Sequence, residues 1–166
     1  SNASYFINYV IAQVSEKYGD DAIYKDGLKI YTTLDMDAQN AAVAAMQNLP
    51  DFYTDKNGLH QPQGAIVAMN PHNGYIVAMV GGRGDDAFNR ATQAERQPGS
   101  TMKPFVYLAA IQSGKTPGSI VEDSPVSFGS WSPKNYENDY EGSITYRYAL
   151  QHSRNVAAVK IADEVG

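Results

Sequence analysis

The stretch Arg96-Gln97-Pro98-Gly99-Ser100-Thr101-Met102-Lys103-Pro104-Phe105 governs how the rest of the chain is read. Pro98-Gly99 is a turn, so a helix is expected to start at or near Ser100, run to Ser113 and end near Gly114. Pro104 falls within the first turn or just after it, where a missing N–H costs little. Positions i and i+3 share a helix face, which brings the tips of Ser100 and Lys103 within reach of each other. A serine hydroxyl is a weak nucleophile until a base takes its proton. Lysine can be that base when neutral, and both burial and the positive end of a helix dipole push it that way. The Ser100 N–H, free at a helix start, can also point at a developing oxyanion. Ser-x-x-Lys is a short pattern that arises by chance, and taken alone it is read more readily as a capping serine beside a solvated lysine.

Downstream, Gly118 to Glu141 is rich in Ser, Pro, Asn, Gly and Tyr without a period and reads as an irregular surface excursion. Such a long loop in a compact domain is usually functional. Thr145–Leu150 and Val156–Val165 read as two short helices, broken around His152-Ser153-Arg154-Asn155. In extended backbone, Ser153 and Asn155 point to one side. The hydroxyl can then relay a proton and the amide can hold a substrate carbonyl. An N-cap serine is the plainer alternative for Ser153.

Upstream, Gly64–Met69 and Tyr75–Val80 are apolar runs joined by Pro71-His72-Asn73-Gly74, the signature of a β-hairpin. Both runs are apolar almost throughout, so both faces are expected to be covered. Gly81–Gly84 reads as a flexible exit from the hairpin. Tyr5–Tyr18 has helical periodicity and ends at Gly19, and Lys29–Thr33 is a strand candidate. Asp35 is placed to cap a helix over Met36–Leu49, with Ala42, Val43, Met46 and Leu49 on one side. Asp51–Pro62 reads as a loop or domain joint. Ser1-Asn2-Ala3 has the form of a tag remnant and is set aside. Arg83-Gly84-Asp85 is the tripeptide of integrin ligands, but a three-residue coincidence carries no argument.

Composition narrows the classes of function. The 166 residues carry a net charge of −5 and no cysteine. The acidic balance argues against a nucleic-acid binder. Without cysteine there is no disulfide, thiol catalysis or cysteine-ligated zinc. His60, His72 and His152 are scattered without ligand spacing, so neither metal nor cofactor is expected. No apolar run approaches the roughly 18 residues of a membrane span.

Gly99-Ser100-Thr101-Met102-Lys103-Pro104-Phe105 resembles the nucleophile motif of penicillin-binding proteins, especially the bifunctional class A type. The likeness extends to Gly64–Pro71 with Gly74–Gly82, to Asn89-Arg90-Ala91, and to Pro133-Lys134-Asn135-Tyr136 ahead of Ser153-Arg154-Asn155. Gly27–Asp35 resembles the linker that precedes the transpeptidase domain. The resemblance implies an α/β (α+β) fold of the serine β-lactamase/transpeptidase type, an antiparallel sheet with flanking helices, incomplete at the C-terminus. It implies residues 4–60 as a pre-domain segment (helix, short strand, helix) and 61–166 as the front portion of the domain. It implies Ser100 as the nucleophile toward D-Ala-D-Ala stem peptides of peptidoglycan and toward β-lactams. Lys103 would be the acylation base, Ser153 the proton relay to the leaving group, and Asn155 the group that holds the substrate amide. A membrane-anchored parent acting on the extracytoplasmic face would carry it.

The family's third motif, Lys-(Thr/Ser)-Gly on a strand across the cleft, has no counterpart. Lys115-Thr116-Pro117 follows the nucleophile helix directly and reads as a surface turn. Little or no transpeptidase turnover is therefore expected of this chain. The exposed hairpin edge offers a route to self-association. Two other readings stand beside a transpeptidase: a β-lactamase or β-lactam sensor with the same nucleophile, and a non-catalytic scaffolding module in which Ser100 is only a cap.

Overall fold

A computed structural model of the chain describes residues 1–166, which separate into two units, Ser1–Glu95 and Arg96–Gly166. In the first unit, α1 (Ser4–Tyr18) stops at Gly19, whose φ of 81° suits a residue without a Cβ. A short α2 (Asp20–Tyr24) follows. Asp35 caps α3 (Met36–Gln47) as expected, its Oδ1 accepting from the Asp37 N–H at 2.9 Å and the Ala38 N–H at 3.1 Å. The segment Asp51–Pro62, expected to be a loop, carries a small hairpin of β1 (Tyr53–Thr54) and β2 (His60–Gln61).

The expected main hairpin forms from β3 (Ile66–Met69) and β4 (Ile76–Val80), antiparallel, with Ile66 opposite Val80 and Ala68 opposite Ala78. Helices α1 and α3 pack against it. Tyr5, Ala42, Met46, Ala78 and Val80 form the core. The other face is covered only in part: Met79, opposite Val67, is buried, while Val67 and Met69 are exposed, against the expectation of a sheet buried on both sides. Buried Gln39 on α3 meets β4 as a further strand would. Its Nε2 donates to the Met79 C=O at 3.0 Å and its Oε1 accepts the Met79 N–H at 2.9 Å. That satisfies a buried strand edge.

Two readings of this unit are corrected. Lys29–Thr33 forms no strand. Thr33 Oγ1 donates to the Ile76 C=O and the Asp35 N–H to the Val77 C=O, but no ladder develops. The Met79 backbone groups on β4 are already taken by Gln39. Gly81 and Gly82 are packed rather than flexible. A Cβ on Gly81 would sit 2.1 Å from Asn89 Oδ1, and one on Gly82 would sit 2.6 Å from Tyr5 Oη. Arg83 donates to the Pro50 C=O and Asp85 accepts from His60 N–H and Gln63, so that tripeptide is tied into the unit.

The second unit opens with a 3₁₀ turn (Gly99–Met102) that continues into α4 (Lys103–Gln112). Then come β5 (Ile120–Asp123), β6 (Gly142–Thr145), α5 (Tyr146–Gln151) and α6 (Asn155–Val165). The supposed irregular excursion thus begins with a strand. β5 pairs antiparallel with β6, from Ile120 opposite Thr145 to Asp123 opposite Gly142. Burial alternates along β5, which buries Val121 and Asp123 and exposes Ile120 and Glu122. Thr145 Oγ1 caps α5 by accepting the Tyr148 N–H at 3.1 Å. Tyr107 and Tyr146 meet edge to face, with ring centroids 5.9 Å apart, inside a core that includes Ala110, Ile144, Ala157 and Ile161. Helices α4 and α6 lie against each other, and this contact brings the Lys103 end of one to the Asn155 end of the other.

Candidate active site

The sequence places Ser100 at the start of an α-helix. It lies instead in the 3₁₀ turn, exposed, at a position where helix N–H groups lack intrahelical acceptors. Lys103 is the first residue of α4 and is buried, 8% exposed. Its Nζ donates to the Ser153 C=O at 2.6 Å, to Ser153 Oγ at 2.8 Å and to Asn155 Oδ1 at 2.6 Å. Ser153 Oγ in turn donates to Ser100 Oγ at 3.0 Å. The four candidate residues are therefore brought together, with Ser153 standing between Ser100 and Lys103.

Burial pushes the Lys103 ammonium below the ordinary lysine pKa. Its three acceptors match the three donors of an ammonium and hold the charged form in place. The result is a lysine that gives up its proton more readily than a surface one yet is anchored at rest. The Asn155 amide is engaged on both sides. Its oxygen accepts from Lys103, and its Nδ2 donates to the Lys134 C=O at 3.1 Å.

Ser153 is not in extended backbone. Its φ is 51°, the left-handed region. The cause is the end of α5: the Arg154 N–H bonds to the Ala149 C=O and the Ser153 N–H to the Leu150 C=O. That is a Schellman ending, whose left-handed position usually falls to glycine. A side chain there costs roughly 1–2 kcal/mol in backbone preference, and here that side chain is the one touching both Ser100 and Lys103.

Sequence reading left out three residues that frame the site. Arg154, between Ser153 and Asn155, is buried and turned the other way. Its Nε and Nη2 reach Asp123 Oδ2 at 2.8 and 2.7 Å, and its Nη1 reaches Asp139 Oδ1 at 3.1 Å. Burial works against its charge, but the hydrogen bonds it donates to Asp139 and Asp123 prevail and raise its pKa. Asp123, 0% exposed at the end of β5, also accepts from Asn135 Nδ2 at 2.9 Å. Asn135 Oδ1 accepts the Asn155 N–H at 2.9 Å and the Val156 N–H at 3.1 Å, capping α6 from a distant loop. No local pattern announces these contacts, which span 12 to 31 residues of sequence.

Two open clefts meet at Ser100. One, of about 710 Å³, includes Lys103, Met102, Val106, Trp131 and Ala158 among its walls. The other, of about 480 Å³, includes Tyr136, Asp139, His152 and Ser153. A nucleophile at the junction of two clefts can meet one reactant from each side.

A family model described as penicillin binding protein transpeptidase domain matches residues 64–166. The chain belongs to the penicillin-binding protein transpeptidase domain family. Penicillin-binding protein 1A of Rickettsia prowazekii is 41% identical over 132 residues, which is 75% of this chain and 17% of that protein. Penicillin-binding protein 1A of Neisseria lactamica is 45% identical over 113 residues, 63% of this chain and 14% of that one. Among solved structures, PonA1 of Mycobacterium tuberculosis in complex with penicillin V superposes with a TM-score of 0.75 at 28% identity, covering 95% of this chain and 41% of that one. Penicillin-binding protein 1A of Haemophilus influenzae, with a TM-score of 0.74 at 23% identity over 98% of this chain and 39% of its own, shares the fold. The chain thus spans under a fifth of the length of these curated relatives.

Proposed function

We propose that this chain carries the acylating half of a serine D,D-transpeptidase acting on peptidoglycan stem peptides and on the β-lactams that mimic them. The observation that supports this most is the unbroken chain from Ser100 Oγ through Ser153 Oγ to Lys103 Nζ. Ser100 Oγ attacks the carbonyl between the two terminal D-alanines. Once Lys103 has shed its own proton to solvent, the Ser100 proton passes to its neutral amine through Ser153, whose hydroxyl turns to donate to Nζ, while the carbonyl electrons move onto an oxyanion near the Ser100 N–H. The oxyanion collapses, the C–N bond breaks, and the leaving D-alanine amine takes a proton by way of Ser153. A second stem's amine then attacks the ester and frees Ser100. Asn155, held by Lys103 and the Lys134 carbonyl, borders the larger cleft, where the substrate amide would lie.

The third motif of the family, absent from this sequence, would add substrate-carboxylate contacts and a second oxyanion donor. Loss of one such donor costs about 10²–10³ in rate. Acylation by reactive β-lactams is therefore expected to outlast transfer between stem peptides. The parent protein would act at the extracytoplasmic face of the membrane. Among the helices of this chain, none is long and apolar enough to cross it. The rival β-lactamase reading is separated by following a fluorescent penicillin adduct over time beside nitrocefin hydrolysis. A persistent adduct with no nitrocefin turnover supports the transpeptidase. Rapid loss of the adduct with steady hydrolysis would replace it.

A further inference from the structure

We propose that Arg154, Asp123 and Asn135 are positioning residues that set the place of Lys103 by anchoring Arg154 and the two residues that follow it. The inference rests on the reading of Ser100, Lys103 and Ser153 as acylation machinery. All three acceptors of Lys103 belong to the residues flanking Arg154, the Ser153 carbonyl and Asn155 Oδ1 among them. Where these two atoms lie decides where the lysine lies. Neither is held by anything on α4 other than Lys103 itself.

They are held from the opposite side. The Arg154 side chain runs to Asp123 with two nitrogens on one carboxylate oxygen. The other oxygen of Asp123 takes Asn135 Nδ2, and Asn135 grips the N–H groups of Asn155 and Val156. One buried carboxylate on β5 thus fixes Arg154 by its side chain and the next two residues by their backbone. Arg154, as the residue preceding α6, supplies no cap of its own, and Asn135 fills that role. The two-nitrogen contact requires the planar guanidinium, and a lysine could not reproduce it. The residue between the serine and the asparagine of the second motif is therefore a structural determinant of the site.

The experiment reads the titration of Lys103 by NMR of carbon-labelled lysine side chains, assigned with Lys103→Ala, in the free protein without any β-lactam. Other titratable groups around the two clefts are Lys134, Tyr136, Glu137, Asp139, Glu141 and His152. The variants leave all of these unchanged. Arg154→Lys keeps the charge and loses the two-nitrogen contact, and Asn135→Ala changes no charge at all. Both are expected to move the Lys103 midpoint up toward that of a solvated lysine, because water reaching the ammonium relieves the desolvation that lowers it and outweighs the loss of its fixed acceptors. Ile161→Val, a core change in the same unit, is expected to lower stability and leave the Lys103 midpoint where it is. An unmoved midpoint in folded Arg154→Lys and Asn135→Ala would overturn the proposal. A variant that no longer folds also counts against it, since the network would then hold the unit together rather than place the lysine. The readout needs no acylation, so it separates this inference from the functional one. Where Ser100 acylates, the same variants are expected to slow it about 10²-fold, the scale of a displaced catalytic group.

Discussion

Arg154→Met leaves Asp123 buried without its cation. The side chains of the pair are 9% and 0% exposed, and their closest contact is 2.7 Å. Removing one partner of a buried pair costs about 3–5 kcal/mol, because the remaining charge stays desolvated. The outer contacts of Arg154 with Asp139 and Glu141, which are partly solvated, add about 0–1 kcal/mol each. A loss of about 4 kcal/mol is a large part of the roughly 5–15 kcal/mol of a typical domain. With a urea slope of about 2 kcal/mol/M, the midpoint should fall by about 2 M. Trp131 is the single tryptophan and lies in the same unit, so its emission follows the relevant transition. Asp123→Asn/Arg154→Met removes the stranded charge and keeps an amide oxygen for one of its two other donors, Asn135 Nδ2 or the Glu141 N–H. The double variant is expected to be more stable than Arg154→Met alone, with a coupling of about 1–3 kcal/mol. Arg154→Met within 1 kcal/mol of wild type, or a cycle with no coupling, would refute the reasoning.

Four further outcomes are expected. Burial, followed by the nearness of Tyr146 and Asp123, pushes the Tyr107 phenol up to about 12. Its raised folded pKa contributes stability that is present below pH ~10 and lost as pH rises toward about 12, and an alkaline stability profile should lose this limb in Tyr107→Phe. The Tyr107 hydroxyl is buried without a partner, so the same variant should be neutral or more stable by about 1 kcal/mol at pH 7 in thermal melts. Gly81→Ala forces a Cβ to 2.1 Å from Asn89 Oδ1 and 2.7 Å from Asn89 Cα, and should cost about 1–3 kcal/mol or more in urea unfolding. Ser153→Ala keeps the Ser153 carbonyl on Lys103 but removes the hydroxyl bridge to Ser100. Stopped-flow acylation should slow by about 10²–10⁴ while the melting temperature stays within a few degrees.

Elements with a local signal were legible from the sequence. The Asp35 cap, the periodicity of α1 and the Asn73-Gly74 turn of the β3–β4 hairpin each lie within a few residues of the structure they specify. The β5–β6 ladder was not legible. Each strand is four residues long, and the pair is joined across the Ser124–Glu141 segment, so nothing local marks Ile120 or Gly142 as partners. The Ser100–Lys103 spacing is visible in the chain, yet the two meet through Ser153, fifty residues from the lysine. That bridge depends on the left-handed backbone at Ser153, where sequence reading expects extended chain or a cap. Nothing local marks Arg154, between Ser153 and Asn155, as a buried residue. Its burial becomes apparent only once β5 brings Asp123 beneath it.

The most direct test of the central claim is intact-mass spectrometry after incubation with excess benzylpenicillin, on the wild-type chain and on Ser100→Ala. With Ser100 as the nucleophile, the mass of one penicilloyl group is added to the wild type and none to Ser100→Ala. No addition to the wild type, or an addition that survives in Ser100→Ala, would contradict the assignment of Ser100 as the nucleophile.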